Sequence, residues 1–349
     1  MHNRRVFWLK PCRSGDETPA FQSNLALIQL RNNIQTCAVL DLNILNRFKD
    51  YVSTPPSDRA PPLVADIEAI KKVLIMPGLS VTGGYALGEA DDAYYRDLVE
   101  SYESFFLSEL PRYRDAPNSI PPRQNSPASR QYHSLPKIEQ QFFSMSHLSL
   151  LKINDILVSE KRASPEAKFD LFLEFMDGVA DFVPAFEVEI AKHCFDKPQN
   201  SSHAFFARSK AIRNNFYKGG RGQKRVDRIL NGARDVMYLR SAAAQDGKDL
   251  DGWIQDTWLL TCDAGLAALS QVFYFVPKGG ERSQFATTTD DPTRRSNSYW
   301  RYVDKTSQQL NAYRARNIQH RKNFADESHI QRMTALSLSL SERLADEIL

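Results

Sequence analysis

The chain has 349 residues, 42% of them hydrophobic and 25% charged, with a formal net charge of +3. That is length for one large domain or two ordinary ones, with the balance of a soluble globular protein, and so weak a charge means that any basic footprint must be local. No apolar run approaches a membrane span, the four-residue stretch from Val6 to Leu9 is too short for a signal-peptide core, and the four cysteines lack metal-finger spacing; a cytoplasmic protein with free core thiols is expected.

Residues 1 to about 35 read as a lead-in with one helix around Leu25 to Leu30. Thr36-Cys37-Ala38-Val39-Leu40 then reads as a buried strand that ends at Asp41. Residues 53 to 62, rich in Pro and Ser, read as a surface loop, followed by a short helix from Asp66 to Lys72. Val73 to Met76, closed by Pro77-Gly78, reads as strand or turn. The stretch Thr82 to Glu89 opens a helix with Thr82 as its cap. From Asp92 a helix carries Tyr95, Leu98, Tyr102 and Phe105/Phe106 on one face. Pro111 to Ser134 reads as a mobile linker.

Ile138, Phe142, Met145, Leu148 and Leu151 open a helical block. Ser164-Pro165-Glu166 is a helix start: a capping hydroxyl, proline at the first position, an acid at the positive end. Phe169, Phe172, Met176, Val179 and Val183 continue that helix until Pro184 breaks it. Asp235 to Ala243 reads as helix, Trp258 to Thr261 as strand, Leu266 to Leu269 as a short helix and Val272 to Val276 as strand. Residues 281 to 298 read as polar loop, with helices at about 299 to 322 and 327 to 347. Strands alternating with helices at both ends imply an α/β domain interrupted by a helical block.

Two of these strands end in the same way, at Asp41 and at Asp263. The crevice beyond the C-terminal strand ends is where open parallel sheets bind ligands. Glu89 and Asp235 stand in comparable places. The contexts of these four acids resemble the PIN-domain nucleases. Asp41-Leu42-Asn43 is similar to that family's first-strand Asp-x-Asn motif, and Tyr85 to Glu89 to its helix-borne glutamate. Ala233-Arg234-Asp235 resembles its central Asp at a helix start, and Thr261-Cys262-Asp263 its closing Thr-x-Asp motif. The insertion between Glu89 and Asp235, the lead-in and the C-terminal helices depart from compact members.

The resemblance implies an α/β fold, a PIN-like parallel-sheet domain sandwiched by helices, with an inserted all-α subdomain and C-terminal helices. The expected boundaries are 1–92 and 226–280 for the two parts of the PIN-like domain, 93–225 for the insertion and 281–349 for the extension. It implies a metal-dependent endonuclease, RNA favoured over DNA, of the kind that serves as a toxin or defence nuclease. Asp41, Glu89, Asp235 and Asp263 are the expected catalytic and metal-binding residues, with Asn43 and Thr261 in support. The alternative is a catalytically silent PIN-like module that binds nucleic acid or protein. Each acid also has a plainer role: Asp41 starting a turn, Asp263 and Asp235 at helix starts, Glu89 on a solvated face.

The chemistry is consistent with the resemblance. Carboxylates about 4 Å apart repel by roughly 4 kcal/mol at an effective dielectric of 20, so a cluster calls for a cation. Oxygen-only ligands suit Mg²⁺ or Mn²⁺. Before Asp235 lies a basic segment, Arg208, Lys210, Arg213, Lys218, Arg221, Lys224, Arg225 and Arg228. Phe205, Phe206, Phe216 and Tyr217 are interleaved. Cations of this kind grip phosphates and exposed aromatics stack on bases, so nucleic acid is the expected partner. The helical insertion is the expected seat of a regulatory protein.

Overall fold

The computed structural model describes residues 6–22, 24–90, 92–111, 131–197, 203–277, 284–317 and 326–346. In chain order the elements are β1 (Phe7–Leu9), α1 (Leu25–Leu30), β2 (Ile34–Leu40), α2 (Leu42–Ser53), α3 (Pro61–Leu74), β3 (Leu79–Thr82), α4 (Gly84–Gly88) and α5 (Asp92–Glu109). Then come α6 (Lys137–Ser159), α7 (Pro165–Glu174), α8 (Ala185–Phe195), α9 (Ala204–Phe216) and α10 (Gly222–Gln245). The chain continues through β4 (Asp249–Leu250), β5 (Trp253–Thr261), α11 (Ala264–Val272), β6 (Phe273–Pro277), β7 (Gln284–Thr288), α12 (Pro292–Ser296), α13 (Ser298–Arg316) and α14 (Glu327–Ala345). Two compact units form, Met1–Ala128 with Tyr238–Thr287, and Ser129–Met237 with Thr288–Leu349.

The first unit is built on a sheet of order β1-β5-β2-β3. β2 runs parallel to both neighbours, while β1 and β4 pair antiparallel with β5. The expected parallel sheet is therefore mixed. The reason is Phe7-Trp8-Leu9, an apolar triplet too short to show a pattern, which pairs from Phe7 to Thr261 along β5. Ala38, Val39 and Leu40 on β2 and Trp258, Leu259 and Leu260 on β5 are all buried, which is why both strands read as continuous apolar runs. Phe48 of α2 stacks on Phe105 of α5 at 4.0 Å between ring centres. That packing places α5 in the first unit and not in the helical insertion.

Two local expectations change for identifiable reasons. Pro61 and Pro62, read as loop, start α3; proline there gives up an N–H that has no helical partner anyway. Val73-Leu74 finishes α3, and the strand forms after Pro77-Gly78 as β3. Gly78 makes that reversal: its φ is +83°, and a Cβ there would stand 2.1 Å from Leu30 Cδ1. The segment 281–298, read as loop, carries β7, which pairs with β6 in a separate two-stranded sheet, and α12.

The second unit is helical. Ser164 caps α7 as expected, its side chain accepting from the Ala167 N–H at 3.1 Å. The helix expected through Val183 instead ends in a π-turn over Phe175–Val179, and Pro184 stands directly before α8. Every residue of α8 from Phe186 to Phe195 is buried. On α6, Leu148 and Leu151 are buried while Ile138 and Phe142 are exposed. The C-terminal helices are not a separate extension: α14 packs along α6, and α13 packs on α7 and α8. Of the expected linker, 112–130 lies outside the described residues; Tyr132, near its end, is buried.

Candidate functional site

β2 and β5 are parallel neighbours with Leu40 opposite Leu260. One residue on, Asp41 and Thr261 face each other at the C-terminal rim of the sheet. The Asp41 N–H extends the ladder to the Leu260 carbonyl at 3.0 Å, and the chain then turns into α2 with Asp41 as its N-cap. Asp263 caps α11 in the same way, its Oδ1 accepting from the Leu266 N–H at 2.8 Å. Strand followed at once by capped helix is what brings both carboxylates to the rim.

Asp41, Asn43, Thr261 and Asp263 form one hydrogen-bonded set. Thr261 Oγ1 donates to Asp41 Oδ2 at 2.5 Å, and Asn43 Nδ2 donates to the same oxygen at 2.6 Å. Thr261 Oγ1 accepts from the Asp263 N–H at 2.9 Å, and Asn43 Oδ1 accepts from the Cys262 N–H at 2.8 Å. Asn43 and Thr261, expected as supports, thus tie the two strand ends together. Asp41 is 3% exposed. Burial pushes its carboxyl up to about 6; the Thr261 hydrogen bond opposes the rise, the charge of Asp263 adds to it, and the Asn43 bonds oppose it.

The other two acids are placed differently. Glu89 is half-buried just past the end of α4, which packs on β2 and α2. Asp235 is half-buried in the interior of α10, not at a helix start, and belongs to the second unit. The expectation of four acids gathered in one pocket is not met: among the described residues, no three His, Cys, Asp or Glu side chains stand where they could hold a metal ion together. Ordered motifs along a chain fix which elements carry the acids, not the distances between them.

The expected nucleic-acid segment also differs. It is two helices, α9 and α10, joined by a short turn. Phe205 and Phe216 are fully buried and cannot stack on bases. Arg208 pairs with Asp291 at 3.1 Å, and Arg213 donates to the Cys194 and Asp196 carbonyls, each at 2.7 Å. Lys218 Nζ donates to Asn215 and Arg225 Nε to the Gly220 carbonyl. Lys210, Arg221 and Lys224 are exposed.

Two residues near the rim escaped the sequence reading. Asp66 on α3 is buried and lies 3.5 Å from Arg47 Nε on α2. Burial pushes the Cys262 thiol up to about 11, with the charge of Asp66 raising it, that of Arg47 lowering it and that of Asp41 raising it. An acid within the apolar stripe Leu63, Ile67, Ile70 was the available signal.

In the second unit, α8, α12 and α13 bury a separate charge network. Arg294 donates to both Glu189 oxygens, at 2.7 and 3.1 Å, and to both Asp304 oxygens, at 3.0 and 2.8 Å. Lys192 Nζ donates to Asp304 at 2.9 Å. His193 lies between Ser209 Oγ, 3.0 Å from Nδ1, and Glu189 Oε1, 3.3 Å from Nε2. The order Ser-His-Glu copies a hydrolytic triad. Here ring, hydroxyl and carboxylate are all buried in helix packing, and Arg294 and Lys192 hold the glutamate, so the set is structural. No family model, curated protein or solved structure matches this chain.

Proposed function

We propose that the first unit carries a divalent-metal phosphodiesterase site and that the protein is an endonuclease, PIN-like in design, with RNA favoured over DNA. The observation that carries this reading is the hydrogen-bonded set at adjacent parallel strand ends, with Asp41 and Thr261 buried, Asn43 and Asp263 half-buried, and Asp263 joined through its N–H. A carboxyl raised to about 6 beside a second acid is a place where a cation lowers the energy.

The donor set fits Mg²⁺ or Mn²⁺. All its atoms are hard oxygens, and Mg²⁺ takes one or two protein carboxylates while keeping several waters, so it does not require a three-acid cage. Asp41 and Asp263 would hold the ion. Thr261 and Asn43 hold Asp41 Oδ2, and Oδ1 accepts from the Asn43 N–H at 3.4 Å. When bound, the metal lowers the pKa of a water and stabilises the phosphodiester oxygens. Glu89, just past α4 in the same unit, would act through water.

Single-stranded RNA and DNA incubated with the purified protein and Mn²⁺ provide the test. Cleavage is expected with the wild type and a loss of about 100-fold or more with Asp41→Asn, since a lost metal ligand removes several kcal/mol of charge stabilisation. Asp41 must be ionised to hold the ion, and it is half-protonated near pH 6. At limiting Mn²⁺, cleavage therefore climbs with pH across about 5 to 7. Equal cleavage by both proteins would contradict the site.

The second reading, a catalytically silent module that binds nucleic acid or protein, is favoured by one observation: among the described residues no three acids stand where they could hold a metal ion together. A melting temperature that Mn²⁺ leaves unchanged would select it.

A further inference from the structure

The second unit has an open cleft of about 360 Å³ between the start of α12 and one face of α13. Its charges pair off one against one, with a remainder. Asp291 takes Arg208 at 3.1 Å, Asp290 takes Arg295 at 3.0 Å, and Asp304 and Glu189 share Arg294 and Lys192. Arg301 and Lys305 are left over. Both are exposed, they lie one helical turn apart on α13, and among the described residues neither has an acid at ion-pair distance. Thr288, Thr289 and Gln308 line the same cleft with hydroxyl and amide groups.

We infer that this cleft binds phosphate groups, and that a strand of single-stranded RNA supplies them. Each acid lining the cleft has a basic partner, Asp304 a buried one, Asp291 a half-buried one and Asp290 the exposed Arg295, so Arg301 and Lys305 add local positive charge although the whole chain carries only +3. Hydroxyl and amide donors beside Arg and Lys are the side chains that meet phosphate oxygens. Binding here rests on the second unit alone and does not depend on the acids of the first.

The test is fluorescence anisotropy with a labelled single-stranded RNA of twelve or so nucleotides, in EDTA so that metal-dependent cleavage plays no part. The Arg301→Ala/Lys305→Ala variant is compared with the wild type; both residues are exposed, and circular dichroism checks that the fold is kept. Removing two phosphate contacts should weaken binding roughly tenfold at 0.1 M salt and reduce the salt slope by about 1.4. A parallel arm measures stabilisation by inorganic phosphate alone. If RNA binding is unchanged but phosphate stabilises the wild type and not the variant, the cleft takes small phosphorylated ligands. If neither differs between the two proteins, the inference is overturned. Loss of RNA binding with no cleavage anywhere would leave this cleft standing and remove only the metal site.

Discussion

Asp41→Asn is expected to stabilise the first unit while removing the proposed nuclease activity. Asp41 is 3% exposed and its carboxyl sits near 6 against an ordinary value of 3.8. The folded state therefore binds this proton more tightly than the unfolded chain does. The stability that Asp41 contributes is greatest below about pH 4 and is lost as pH rises through 6. Above that, holding the charge costs about 3 kcal/mol. Asparagine is neutral, is as good an N-cap, and its amide oxygen can accept from Thr261 and Asn43 as Oδ2 does now. Hydrogen exchange of the β2 and β5 amides should show wild type and variant alike near pH 4. At pH 8 the variant should be more protected by about 2 to 3 kcal/mol. A destabilised variant at pH 8 would mean that the charge is satisfied locally and not held for a ligand.

Arg294→Met should cost the second unit about 3 to 5 kcal/mol, the penalty for stranding buried carboxylates. Burial alone would push Glu189 up, yet the charges of Arg294 and Lys192, with His193 beside them, hold its carboxyl well below the ordinary range. Such a group stabilises the fold above its unfolded pKa near 4.5 and stops doing so as pH falls through its folded value. In the variant this dependence on acid should weaken sharply. The double variant Arg294→Met/Glu189→Met should recover much of the loss, because an apolar set can replace a buried ionic one at little cost. Urea unfolding of the two single variants and the double closes the cycle. Strict additivity would show that the residues do not act together. Arg294 also lies over the Trp300 ring at 4.8 Å, so Trp300 fluorescence reports on the same neighbourhood.

What could be read beforehand divides along a physical line. Strands buried on both faces advertise themselves as unbroken apolar runs, so β2 and β5 were visible, and so were the acids at their ends. Ser164 was visible because capping is a local hydrogen bond between residues three apart. β1 and β3 were not, since a strand of three or four residues is defined by its partner and not by its own pattern. α8 was missed because Glu187, Glu189, Lys192 and His193 are buried there, and a buried charge looks from sequence like a solvated one. The same limit applies to the site. Sequence order assigned Asp41, Asn43, Thr261 and Asp263 to two strand ends, and the register of β2 on β5 brings them together. Asp235 is not at a strand end: it sits in the middle of α10, in the second unit.

The claim that Asp41 and Asp263 form a divalent-ion site meets its most direct test in calorimetric titration of Mn²⁺ near pH 6, repeated in two buffers of different ionisation enthalpy. At that pH about half of Asp41 is protonated, and an arriving ion must displace the proton. The wild type should therefore bind one ion with release of roughly half a proton, and Asp41→Asn should bind none. Absence of binding in the wild type, or equal binding by both proteins, would contradict the metal site and leave a hydrogen-bonded pair of helix caps in its place.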